Sequence, residues 1–158
     1  MRRAEGSQST RGRPKVLMGL AGLFLLARIG SGLAESSRQG GLVHWHAPND
    51  PEVTAAGTRK PMLYEFSASW CQPCNAMDRE LFSDPTAANY INEAFVPVRV
   101  ADEDHSPEAA ALRTRHSILA LPTLIVTTDA RAPDQLQGYP GKRQVLGFLR
   151  HAADPDRR

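Results

Sequence analysis

The sequence predicts an α/β domain: a central sheet of four to five strands with helices on both faces, preceded by a signal or anchor segment. Two observations predict the domain. Apolar runs of strand length alternate with amphipathic stripes of helical period across about 110 residues, the pattern of helices layered on a sheet. Three helix starts also repeat one device, a capping residue before proline, at Asn49-Asp50-Pro51, Ser83-Asp84-Pro85 and Ser106-Pro107. The chain has 158 residues, enough for one domain with extras, and shows no internal repeat.

In chain order, residues 1–15 form a basic start and 16–34 an apolar signal peptide or membrane anchor. Residues 35–42 (ESSRQGGL) read as a linker, 43–153 as the domain and 154–158 as a tail. Within the domain, Leu42–Trp45 is a short strand or lead-in, and a helix runs from Asn49 to about Gly57. Met62–Ser67 is an apolar strand released by Pro61. A helix carrying Met77, Leu81 and Phe82 on one side follows the cysteines. The helix after Asp84 buries Ala88, Ile91, Ala94 and Phe95, and Phe95–Val100 is the next strand. Pro97 cannot donate to a ladder, which puts it at that strand's start or beside a free edge. A helix from Ser106 to His116, strands at Pro122–Thr127 and Leu136–Tyr139, and a final helix bearing Val145, Phe148 and Leu149 complete the set.

Charge is unevenly placed. The net charge is +2, yet residues 1–15 hold five basic side chains against one acidic, leaving the rest of the chain at −2. A nucleic-acid function loses its support, because phosphate binding needs a basic face on the domain itself. The uncharged run Val16–Ala27 suits the apolar region of a signal peptide, and Gly32-Leu33-Ala34 offers a cleavage site. If Arg28 snorkels to the interface, Ile29–Ala34 extends the run towards a membrane anchor. Either way the positive start stays inside and the domain is exported. A mitochondrial presequence is the alternative for this Arg-rich start.

Both cysteines lie in one hexapeptide, Ser69-Trp70-Cys71-Gln72-Pro73-Cys74. As a static staple they would close too short a loop to constrain the unfolded chain. As half of a zinc site they lack further ligands, since His44, His46, His105, His116 and His151 do not have the spacing. The third reading is a reactive pair. The motif falls where a strand ends and a helix begins, so Cys71 meets unsatisfied N–H groups that favour a thiolate. Pro73 falls in the first helical turn, where a missing N–H costs little.

The stretch LYEFSASWCQPC, with LPT 48 residues beyond Cys74, resembles the thioredoxin superfamily. Further along, CNAMDRELFSDP and the flow from FVPVRVADED into LRTRHSILALPTLIV resemble the C-terminal thioredoxin-like domain of DsbD-type thiol:disulfide interchange proteins. The resemblance covers roughly residues 43–152 and implies a thioredoxin fold with a mixed sheet. It implies Cys71 as nucleophile, Cys74 as resolving thiol, and Glu65 as the buried acid that relays the proton of Cys74. It makes Trp70, Gln72, Pro73, Leu121 and a cis Pro122 the substrate-binding surface, with the Leu121 backbone pairing an extended substrate. Asn75 stands where thioredoxins often carry lysine, and the chain has no room for the DsbD membrane domain, so a separate protein must donate or accept electrons.

His44-Trp45-His46 invites a copper reading, but it lacks a third ligand of matched spacing. Asp102-Glu103-Asp104 invites a calcium one, but it lacks the glycine and final glutamate of a calcium loop. These residues, Glu65 and Pro122 also have plainer readings. Glu65 as a surface carboxylate, Pro122 as an ordinary trans turn, Trp45 as a plug at the core edge between solvent-facing His44 and His46, and Asp102-Glu103-Asp104 as a solvated turn all fit the sequence. The expected function is an extracytoplasmic thiol–disulfide oxidoreductase, acting as a reductant in the bacterial periplasm or on the inner membrane facing it. No cofactor or metal is expected beyond the redox-active Cys71–Cys74 pair. Partners would be disulfide or dithiol proteins, an electron-partner protein and, if residues 16–34 are uncleaved, the membrane. The alternatives are a Cu(I)-binding, metallochaperone-like protein using Cys71 and Cys74, or a redox-inert interaction module.

Overall fold

The computed structural model describes residues 41–54, 60–129 and 131–154. The expected basic start, the apolar run and the linker up to residue 40 lie outside the described residues, as do residues 155–158 of the tail.

Elements follow in the order α1 (Pro51–Thr54), β1 (Met62–Ser67), α2 (Gln72–Met77), a π-helix (Asp78–Phe82), α3 (Pro85–Ala94), β2 (Val96–Ala101), α4 (Pro107–Arg115), β3 (Thr123–Thr128), β4 (Arg131–Gln137) and α5 (Lys142–Ala153). The strands form one mixed sheet in the order β2-β1-β3-β4, with β1 parallel to β2 and antiparallel to β3. Strand β1 is central, and five of its six residues are buried. This explains why it reads as an apolar run rather than an alternation.

Successive side chains of β1 point to opposite faces. Leu63 joins a core made with Met77, Leu81, Phe82, Ile91, Val145 and Leu149, so α2, the π-helix, α3 and α5 cover that face. Tyr64 and Phe66 join Val98, Val100, Ala109, Leu112 and Ile125 under α4 on the other. Helices therefore cover both faces, as expected. The cap-then-proline starts form as read: Asp84 accepts from the Ala87 N–H at 2.9 Å, and the Ser106 hydroxyl accepts from the Ala109 N–H at 3.2 Å.

Four strands are described, and the differences from expectation have local causes. The lead-in around Trp45 makes one bridge, His46 to Val98, and no strand. The last strand begins at Arg131, five residues before Leu136, and carries Pro133. An irregular register between Val126 and Thr128 accommodates that proline on the edge strand β4. Such a polar, proline-bearing edge gives no apolar alternation to read. Pro97 does sit near the start of an edge strand. Arg99, of the same parity, donates its N–H outward to His46 O, so the missing donor of Pro97 faces away from β1.

The segment after the cysteines is not one α-helix. It widens into a π-turn at Asp78–Phe82, where Asp78 O accepts from both the Ser83 N–H and the Ser83 hydroxyl. Leu81 and Phe82 are both fully buried there. The carbonyl of Phe82 accepts from the Leu42 N–H at 2.7 Å, so Gly41 and Leu42, read as the linker's end, are fastened to the domain.

Candidate active site

Strand β1 ends at Ser67, and Cys71 is the N-cap of α2. Its backbone is extended, and its Sγ accepts from the Cys74 N–H at 3.3 Å. Pro73 lies in the first turn of α2, as expected. Cys71 and Cys74 form a disulfide with Cα atoms 5.3 Å apart, and both are buried against Ala68 and Leu121. Leu121 precedes Pro122 through a cis peptide bond, so the loop read from LPT lies against the disulfide. Trp70 is 68% exposed, and Gln72 and Pro73 are exposed beside it.

A groove of about 420 Å³ opens beside the pair. Trp70, Gln72 and Pro73 line one side, Ile118 to Leu121 line another, and Phe66 and Val100 contribute apolar surface from the sheet. Leu119 is 89% exposed there. Sequence reasoning missed it, because an apolar residue in a loop carries no periodic signal.

Glu65 is 1% exposed, which removes the surface-carboxylate reading. Its parity on β1 matches Leu63, so it points to the face covered by α2 and the π-helix. Ser67 Oγ donates to Glu65 Oε2 at 2.9 Å, and Arg99 Nε donates to the same oxygen at 2.7 Å. Arg99 Nη2 also donates to Asp78 Oδ1 at 2.6 Å. One guanidinium thus bridges two carboxylates, and only Asp78, with 30% of its side chain exposed, reaches water appreciably. Burial pushes the Glu65 carboxyl above its ordinary range; Arg99 pulls it down, Asp78 pushes it up, and the Ser67 hydroxyl pulls it down.

Neither Arg99 nor Asp78 was singled out from sequence. A signal existed for Arg99, the lone charge inside VPVRVA and the register partner of Glu65. Asp78 depends on the π-turn and had none.

The acidic turn is more than a solvated loop. Glu103 Oε1 accepts from the Ser69 N–H at 2.9 Å and from the Ser69 hydroxyl at 2.6 Å, and Asp102 N–H donates to Ser67 O at 2.7 Å. Asn75, in the position often held by lysine, donates to Ser69 O at 3.2 Å. The loop entering the cysteine motif is therefore held from both sides. Arg113 anchors the acidic turn in turn, donating to Ala101 O and Asp104 O. Among the described residues no group of three or more His, Cys, Asp or Glu side chains is arranged to hold a metal ion.

A thioredoxin-like family model matches residues 52–128. A thioredoxin of Staphylococcus aureus is 31% identical over 87 residues, spanning 55% of this chain and 77% of its own length. The chain belongs to the thioredoxin superfamily. A thioredoxin-like protein of Synechocystis is 29% identical over 94 residues, 60% of this chain and 83% of the relative. The solved structure of a DsbH oxidoreductase superposes with a TM-score of 0.59 over 94% of each chain at 14% identity, a likeness of fold. With its Cys-X-X-Cys disulfide at the strand-to-helix junction, this thioredoxin-superfamily chain is a thiol–disulfide oxidoreductase.

Proposed function

We propose that this protein reduces disulfides in partner proteins outside the cytoplasm, with Cys71 as nucleophile, Cys74 as resolving thiol and Glu65 as proton acceptor. One observation carries the assignment: the Cys71–Cys74 disulfide lies against the cis Leu121–Pro122 loop at an apolar groove, with a buried carboxylate on the same side of β1 as the cysteine helix.

In the reducing direction the Cys71 thiolate attacks one sulfur of the partner's disulfide. That S–S bond breaks, and its electron pair leaves on the second partner sulfur, which takes up a proton. Cys74 gives its thiol proton to Glu65 and attacks Cys71 Sγ. The Cys71–Cys74 bond forms, the mixed disulfide breaks, and the first partner sulfur departs and is protonated. Two electrons pass to the partner, and a separate donor protein restores the dithiol. Trp70, Gln72, Pro73, Leu121 and Pro122 receive the partner segment, joined by Leu119 and Ile118 on the groove's rim. No cofactor beyond the cysteine pair takes part.

Export rests on the sequence of residues 1–34, basic then apolar, which sends the domain to the periplasm either free or tethered to the inner membrane. The reducing direction rests on the resemblance to the DsbD C-terminal domain. The test is reduction of a model protein disulfide by the pre-reduced protein. Turnover that Cys71→Ser abolishes, with a mixed disulfide trapped by Cys74→Ser, is the expected result; no turnover with any reductant would sink the assignment. Equilibration against glutathione then fixes direction. A potential near thioredoxin's, about −270 mV, is expected, whereas one near that of oxidising foldases, about −120 mV, would reverse it.

A further inference from the structure

The segment Gly41–His46 runs against the π-helix, α3 and β2 and is fastened at several points. Leu42 N–H donates to Phe82 O, and His44 N–H donates to Asn92 Oδ1 at 2.9 Å. Asn92 Nδ2 donates to Leu42 O at 3.1 Å, and His46 exchanges backbone hydrogen bonds with Pro97 and Arg99. These bonds set Trp45 face-on to Arg99, whose Cζ lies 4.5 Å from the indole centroid. Phe82 meets the same indole edge-on at 4.9 Å and lies 5.6 Å from the Arg99 Cζ. The Arg99 guanidinium is therefore bounded by two aromatic rings and two carboxylates.

We propose that Trp45 is a positioning residue for proton transfer at the dithiol: by stacking on Arg99 it holds the guanidinium between Glu65 and Asp78, and so sets the pH at which Glu65 exchanges its proton. This deepens the proposed function and rests on Glu65 being the proton acceptor.

The physical reason is a competition. Arg99 reaches both carboxylates, but Asp78 is partly in water and Glu65 is not. A guanidinium released from the ring would follow Asp78 outward, where its charge keeps hydration. The ring face opposes this, since stacking over an aromatic is worth about 0.5–2 kcal/mol according to its desolvation. The groups facing Glu65 are Arg99 from β2, Asp78 from the π-helix and Ser67 from its own strand, while Leu124, its register partner on β3, is apolar. No other cation among these competes for the role of Arg99, so losing its contact would leave Glu65 holding its proton to higher pH.

The test is a carboxyl-carbon NMR titration of Glu65 in the full oxidised chain. Trp45→Leu should raise the Glu65 midpoint by about one pH unit, a tenfold change in proton affinity. Trp45→Phe, which keeps a ring face, should leave the midpoint close to the parent's. Asp78→Asn should lower the midpoint further in Trp45→Leu than in the parent, because there it removes the competitor as well as its own negative charge. Should Trp45→Leu fail to fold, tetrafluorotryptophan incorporated in a Trp70→Phe background weakens the ring face without changing shape, and should raise the midpoint about twofold in proton affinity. An unmoved Glu65 titration in these variants overturns the proposal and leaves Trp45 a packing residue. Failure of protein-disulfide reduction in the unmodified protein would instead strike the proposed function, and it is read in a separate assay.

Discussion

Glu65 and Arg99 stand opposite each other in register on the parallel β1–β2 pair, joined at 2.7 Å, with the carboxylate 1% exposed. Arg99→Met removes the cation and leaves Glu65 buried without it. Breaking such a pair costs about 3–5 kcal/mol, far more than a surface pair. We expect Arg99→Met to destabilise the oxidised protein by about 3 kcal/mol at pH 7 in urea unfolding. Arg99→Met/Glu65→Gln should recover most of that loss, because the second change removes the stranded charge.

The pH dependence of stability follows from directions of shift. The Glu65 carboxyl is raised, chiefly by burial, so its contribution is fully present below the unfolded-chain value of 4.5 and is lost as pH rises through the higher folded value. Glu103 is lowered, first by the Ser69 hydroxyl and then by the Ser69 N–H, so its contribution is lost as pH falls through its folded value. Urea midpoints measured from pH 3 to 8 should therefore show Glu65→Gln gaining on the parent as pH rises above 4.5. Glu103→Gln should lose ground on the parent as pH rises towards 4.5 and run parallel to it above that value. Parallel curves for parent and Glu65→Gln would contradict the burial of an ionisable acid at this position.

Leu119 offers a large apolar surface at the rim of the groove while contributing little to the core. Leu119→Ser should leave the unfolding midpoint within about 0.5 kcal/mol of the parent. It should raise KM for a protein disulfide about fivefold to tenfold, the scale of one interface side chain, with kcat unchanged. A small soluble disulfide, which does not fill the groove, should react at the parent rate.

Gly41 has φ +69°, and a Cβ there would collide with the carbonyl of Phe82. The left-handed conformation alone costs a non-glycine residue about 1–2 kcal/mol. Gly41→Ala should destabilise by about 2 kcal/mol or more, and the Leu42 amide, which donates to Phe82 O, should lose its protection from hydrogen exchange. An unprotected Leu42 amide in the parent would show that the segment is not fastened there.

Much of the site is local in the chain and was legible for that reason. Cys71 and Cys74 stand one helical turn apart, Pro73 is where a first turn tolerates it, and Glu65 keeps a fixed offset on the strand that delivers the pair. The cap-then-proline starts at Asp84 and Ser106 are equally local, each needing only a side chain and an N–H three residues on. By contrast, β4 was misplaced because an edge strand needs neither apolar alternation nor freedom from proline.

The sequence by itself determined the alternation of strand and helix, the dithiol and the acid six residues before it, because each depends on neighbours a few positions away. Only the tertiary structure decided that Arg99 bridges Glu65 and Asp78, that Trp45 caps that arginine, that Leu119 rims the groove and that Glu103 holds Ser69. Those contacts join segments 21 to 54 residues apart for the bridged and stacked groups. Burial, sheet register and the π-turn bring them together, and none of these is encoded in spacing along the chain.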